Sequence, residues 1–354
     1  TKPEITPIIT NRDVASPFLV EVQESAVKPI EPVFLDYQKD MSQLKAKSDI
    51  PILYKQNVAN DLFQLIYVFD MGNNHDKALG TAFDYLEYLG TSDMTPEELK
   101  SEFYRLACTF YVSPGNERTY VVLSGLNENM PAAVQLFEKL LADAQVNKEA
   151  YTNMTSDILK ARSDAKLNQG QNFSRLMSFA MYGPKSPATN LLTEAELTNM
   201  NPQELVDRIH NQNSYKHRIL YYGPSSSKDL LATINQYHQV PAALKDIPAG
   251  NEYAYLETPV TKVLVAPYDA KQIYMAQISN LDKKYDPAIE PIRALYDEYF
   301  GGGMNSIVFQ EMRETRGLAY SAWASIMPPS YLKYPYVLRT QIATQNDKMI
   351  DAVT

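Results

Sequence analysis

Residues 62–90 can be laid over residues 273–301 at a constant offset of 211 without a gap, each stretch reading as a strand, a turn and a helix. The helix ends agree best: Tyr85-Leu86-Glu87-Tyr88-Leu89-Gly90 stands against Tyr296-Asp297-Glu298-Tyr299-Phe300-Gly301, identical at four of six positions. A unit of this size occurring twice implies a duplicated domain. The chain is therefore expected to hold two similar α+β domains in tandem, and 354 residues with 45% hydrophobic content suit two cores better than one. Residues 1–48 carry several prolines and only short apolar runs, at 18–22 and 32–35, and read as an extended connector. The first domain is expected over 49–240. Pro241, Pro248 and Gly250 then mark a linker, and the second domain, over 241–354, reads as truncated, so the chain resembles an excerpt.

Within the first domain, 50–54 and 62–69 read as strands, the second almost continuously apolar as in a strand covered on both faces. A helix is expected over 77–89. The next begins at Thr95-Pro96-Glu97-Glu98, which combines a capping threonine, proline at the first helical position and glutamate three residues after the cap. A strand at 120–123 precedes a helix at 131–144, whose Ala133, Phe137, Leu140, Leu141 and Ala144 share one face. Helical stretches at 147–180 and 202–213, a strand at 218–222 and a helix at 227–237 complete the domain. In the second, a strand at 336–343 and a helix at 347–353 follow the repeated unit.

The net charge of −9 argues against a nucleic-acid partner, whose phosphates call for clustered Lys and Arg. The apolar runs fall well short of the roughly 20 residues of a membrane-spanning helix, and no signal peptide is visible at the start. A single cysteine, Cys108, excludes an intrachain disulfide, and its neighbours Leu106, Ala107 and Phe110 suggest a buried thiol. His75, His210, His217 and His238 fall in a turn, near a helix end, at a strand start and in a loop. None is spaced to share a metal with another ligand, and each reads as a surface residue. Nothing matches Gly-x-Ser-x-Gly, and Cys108 has no evident base beside it.

Gly301-Gly302-Gly303-Met304-Asn305-Ser306 is the segment richest in chemistry. Three glycines give the backbone room for positive φ and leave amides open to a neighbour, and Asn305 or Ser306 can cap a new helix. Without a following Lys-Ser/Thr this is no nucleotide loop; taken alone, it is a flexible turn. Together with Phe309-Gln310-Glu311-Met312-Arg313 and Arg316-Gly317-Leu318-Ala319-Tyr320-Ser321, it resembles the signature of the second domain of an M16 half, as in insulinases, pitrilysins and mitochondrial processing peptidases. Weaker resemblance extends over about 50–354.

The resemblance implies halves of two similar domains (metallopeptidase LuxS/MPP-like), two such halves closing around an extended peptide. Active halves carry His-x-x-Glu-His on the first long helix and a glutamate some seventy residues later; two imidazoles bind zinc and the intervening glutamate takes a proton from water. Here that motif falls on Asp84-Tyr85-Leu86-Glu87-Tyr88, with Asp157 at the distal position. Both histidines are replaced, so the chain is expected to hold no zinc and to be inactive alone, the zinc lying in a partner half. Arg313 and Tyr320 match the arginine and tyrosine, seven residues apart, with which the non-zinc half of such enzymes reaches substrate, and Gly301, Gly302 and Gly303 are counted with them as substrate-binding. Read without the resemblance, Arg313 is an exposed helix charge and Tyr320 a packed strand aromatic; Arg316 reads as a surface charge ending the helix. The expected function is the substrate-holding half of a zinc metalloendopeptidase; the alternative is an assembly protein with no peptidase role. The compartment stays open, with a lean toward an extracytoplasmic or periplasmic one.

Overall fold

In the computed structural model, which describes residues 15–32, 34–329 and 331–353, the chain divides into a unit over Thr1–Met41 and one over Ser42–Thr354. Of the smaller, the described part holds helix α1 (Pro17–Glu24), whose Ser16 side chain accepts from the Leu19 amide; residues 1–14 of the expected connector lie outside the described residues.

The larger unit opens with a six-stranded sheet of β1 (Ser42–Lys45), β2 (Pro51–Gln56), β3 (Leu62–Phe69), β4 (Cys108–Pro114), β5 (Thr119–Leu126) and β6 (Arg218–Gly223), in the order β1-β2-β6-β3-β5-β4. Only β2 and β6 run parallel. The sheet thus begins at Ser42, inside the expected connector. Ser-Gln-Leu-Lys, an exposed edge strand, has too little apolar alternation to announce itself. β3 alternates in burial at its start and is covered on both faces only from Tyr67 onward.

Around this sheet run α2 (Leu79–Leu86), α3 (Pro96–Arg105), α4 (Met130–Asp143), α5 (Lys148–Ala165), α6 (Gln169–Tyr182), α7 (Glu194–Asn199), α8 (Gln203–Asn211) and α9 (Ser227–Tyr237). The capping box expected at Thr95 and Glu98 is present. α2 is shorter than its sequence pattern, stopping at Leu86 before a turn in which the Leu89 amide donates to the Leu86 carbonyl. The long stretch 147–180 breaks where Asn168 caps α6. One continuous core joins Phe63, Leu65, Tyr67 and Phe69 of β3 to Phe83 and Leu86 of α2 and to Val134, Phe137 and Leu141 of α4. Cys108 is buried there, as expected, and burial pushes its thiol up.

The second sheet has three antiparallel strands, β7 (Gln272–Lys284), β8 (Ala319–Met327) and β9 (Pro335–Gln345), in the order β7-β9-β8, with helices α10 (Glu290–Asp297), α11 (Ile307–Phe309) and α12 (Met349–Val353). That order reproduces β3-β5-β4. The offset found in the sequence also carries further: α2 maps end for end onto α10, the Thr95 cap onto Ser306, and Cys108, the start of β4, onto Ala319, the start of β8. What differs is the core. Here Ala319, Ala322 and Ile342 are the buried centre, supported by Met275, Val308, Met312 and Ala352.

Candidate functional site

The site is built on the second copy of the helix–turn–helix–strand unit. α10 runs into a π-helical turn, Glu298–Gly302, and Gly303 is extended. Ser306 then caps α11 by accepting from the Phe309 amide at 3.3 Å, and the Gln310 amide nitrogen braces the loop by donating to the Met304 carbonyl at 2.6 Å. None of the three glycines takes positive φ, contrary to the sequence expectation. Gly301 is needed for another reason: a Cβ there would sit 2.2 Å from the Ala324 carbonyl oxygen, so only glycine lets the turn lie on β8. Buried against that strand, it has no face toward a ligand. Gly302 is exposed and Gly303 partly so, and a Cβ on Gly303 would meet only the Glu298 side chain.

Past Phe309 the helix widens into a π-helical turn, Gln310–Thr315, in which the Arg316 amide reaches back five residues to the Glu311 carbonyl. Arg313 lies in this turn. Gly317, at φ 56°, reverses the chain into β8, and that is where positive φ is required. β8 then bulges at its second residue: Ala319 pairs with Thr344 and Ser321 with Ala343, so Tyr320 has no partner in the ladder. A π-turn and a β-bulge each re-aim one side chain, and here they bring the two together. The Arg313 guanidinium carbon lies 4.9 Å from the ring centres of both Phe309 and Tyr320. Tyr320 is 73% exposed, so it is not a packed strand aromatic. Glu314 is 3.5 Å from Arg313, with both side chains open to water; such a pair contributes little, and the guanidinium keeps donors for a further acceptor. Arg316 is an exposed charge whose guanidinium donates to the Asp351 carbonyl at 3.3 Å.

The degenerate motif lies on α2 and just beyond it. Asp84, Glu87 and Tyr88 are exposed, with Tyr88 past the helix end. Partial desolvation, then the Glu87 charge, raises the Asp84 carboxyl. Asp157 is exposed on α5, which packs against α2 through Tyr85 and Tyr151, ring centres 5.7 Å apart. The donors are carboxylates and a phenol without an imidazole, a poor set for zinc. Among the described residues no three His, Cys, Asp or Glu side chains gather as a metal-binding group.

Two of the four histidines are not the surface residues their spacing suggests. His75 and His210 lie near the surface, but His217 and His238 are buried and meet ring to ring, Nε2 to Nε2, at 2.9 Å. Their partner Glu138 is too distant in sequence for spacing to reveal.

No family model matches the chain. An uncharacterized zinc protease of Rickettsia felis is 20% identical over 263 residues, 70% of this chain and 60% of that protein, so the chain spans about 60% of the curated relative's length. Among solved structures, a peptidase M16 inactive domain from Pseudomonas fluorescens superposes with a TM-score of 0.69 at 17% identity, covering 89% of this chain and 76% of that one. The chain has the M16 fold. The periplasmic protease PqqL of Escherichia coli gives a TM-score of 0.73 at 13% identity, over 97% of this chain and 41% of PqqL. This M16-like chain therefore shares its fold both with a domain described as inactive and with part of a much longer protease. No helix among its described residues is long and apolar enough to cross a membrane.

Proposed function

We propose that this chain is the substrate-holding, non-catalytic half of an M16-type zinc metalloendopeptidase, working with a zinc-bearing half that lies upstream on the same polypeptide or on a separate subunit. One observation carries the reading: Arg313 and Tyr320, each set off from regular structure by a π-turn or a β-bulge, converge at an exposed point. A guanidinium fork and a phenol hydroxyl both donate hydrogen bonds. Placed against an extended peptide, they can hold a main-chain carbonyl and stabilise negative charge growing on its oxygen. Phe309 beneath the guanidinium limits its freedom, so less order is lost on binding. Gly302 and Gly303, at least partly open to solvent, are proposed to offer main chain to the same peptide, whereas Gly301 serves packing alone.

Hydrolysis itself belongs to the partner half, because the positions of Asp84, Glu87, Tyr88 and Asp157 no longer suit zinc. The reading includes a first domain running from Ser42 to about residue 240, a second over 241–354, and an extracytoplasmic location, the last supported by the periplasmic PqqL. The test is equilibrium binding of an extended fluorescent peptide to this chain joined to its zinc-bearing half, with cleavage blocked by chelation. Arg313→Ala should weaken binding at least tenfold and Arg313→Lys nearly as much, since an ammonium lacks the fork. Unchanged affinity in both variants would point instead to the assembly role.

A further inference from the structure

The first domain contains a buried chain of titratable groups unrelated to the peptide site. His217 stands immediately before β6 and His238 caps the end of α9. His217 Nδ1 lies 2.7 Å from the Tyr215 carbonyl, its Nε2 lies 2.9 Å from His238 Nε2, and His238 Nδ1 lies 2.7 Å from Glu138 Oε1. The other Glu138 oxygen accepts from the Asn213 side-chain amide and the Gln239 main-chain N–H, each at 3.0 Å. His238 is 0%, Glu138 1% and His217 7% exposed.

With Glu138 ionised, counting hydrogens sets the charge of the histidine pair. A carbonyl only accepts, so His217 carries its proton on Nδ1. The ring-to-ring contact needs one hydrogen between two nitrogens. The carboxylate, already accepting twice on its far oxygen, takes a third from His238 Nδ1. Three hydrogens on four ring nitrogens is one more than two neutral imidazoles hold, so the pair carries a single positive charge against the Glu138 carboxylate. A second added proton would set N–H against N–H across the ring contact, and removal of the shared one would set lone pair against lone pair.

We propose that His217, His238 and Glu138 form a one-proton lock on the joint where α9 hands over to the interdomain segment, and that entry of a second proton opens it in acid. Glu138 grips both residues at that joint, His238 by its ring and Gln239 by its main chain. The groups facing the lock are few. Tyr67 of β3 lays its ring 4.5 Å from His238, and burial, then the Glu138 charge, raises its hydroxyl well above the usual range, keeping it neutral. Phe69 covers His217 at 4.7 Å. His210 of α8 points its Nε2 at the Ala144 carbonyl, 3.1 Å away. The flanking Lys216 and Arg218 turn outward to Asp246 and Asp70.

Burial, then the neighbouring His238 charge, holds His217 down at about 4. Because the folded value lies below the ordinary 6.5, this contribution is complete above 6.5, falls as the pH drops toward 4, and is fully lost below it.

The experiment is histidine 15N NMR on the full chain, with resonances assigned through His217→Gln and His238→Gln, together with exchange protection of the Gln239 amide against pH. At pH 7 the expected result is one doubly protonated ring beside one Nδ1–H ring. Gln239 protection should fall roughly 10²-fold between pH 6.5 and 4, and Glu138→Gln should remove both the doubly protonated signal and most of that protection. Two neutral rings in the wild-type chain at pH 7 would overturn the proposal even if no variant folds. So would a Gln239 protection that is flat across the acid range.

Discussion

The two copies of the helix–turn–helix–strand unit share a frame and diverge at the positions where function is proposed. In the first, the residues matching Arg313 and Tyr320 at the offset of 211 are Glu102 and Thr109. Glu102 is tied to Arg105 through two hydrogen bonds, at 2.9 and 2.5 Å, which hold its carboxyl below the usual range. Thr109 pairs across an unbroken ladder with Ser124. α3 is regular, and β4 continues without a bulge. In the second copy the helix opens into a π-turn, the strand bulges, and an arginine and a tyrosine meet outside the ladder. Regularity in one copy shows that the frame itself does not require the irregularities of the other. They are local departures, placed where a side chain has to be aimed.

Substitutions in the two copies test that contrast. Phe137→Ala, in the continuous core beneath the six-stranded sheet, should cost about 3–5 kcal/mol in chemical denaturation; a loss under 1 kcal/mol would mean that this core is not what holds the first copy. Gly301→Ala should cost about 1–3 kcal/mol by overpacking against Ala324, while Gly303→Ala, which meets only a flexible side chain, should stay within about 0.5 kcal/mol. Equal costs would mean that the triple glycine does not divide as described. Thr95→Ala and Ser306→Ala, the matched helix caps, should each lose about 1 kcal/mol, and thermal melts giving very different losses would argue that the two frames are not equivalent. Smallest of all, Glu102→Ala and Tyr320→Ala should each leave stability within about 0.5 kcal/mol, since Tyr320 is exposed and the half-buried Glu102 pairs with a solvent-open Arg105.

Much of the frame was legible because it rests on local chemistry. The Thr95 capping box, the apolar face of 131–144 and the helix at 227–237 are short-range signals, and the repeat needed only the chain laid over itself. β1 was missed because an exposed edge strand carries little apolar pattern, and β4 because strand and turn residues mix along it. The site was half legible. Arg313 and Tyr320 stood out through resemblance, but the π-turn and bulge that bring them together leave no mark in residue spacing. The three glycines suggested positive φ, whereas the structure uses the first for close packing and assigns the left-handed turn to Gly317. The buried histidines were misread because their burial depends on Glu138, a partner brought near only by folding.

The most direct measurement is cleavage of an extended peptide by the chain joined to its zinc-bearing half, comparing Arg313→Ala with the matched Glu102→Ala. The account predicts roughly a 10²-fold fall in kcat/KM for Arg313→Ala, as for loss of a charge-stabilising donor, and no change for Glu102→Ala. Equal rates in the two variants would contradict it.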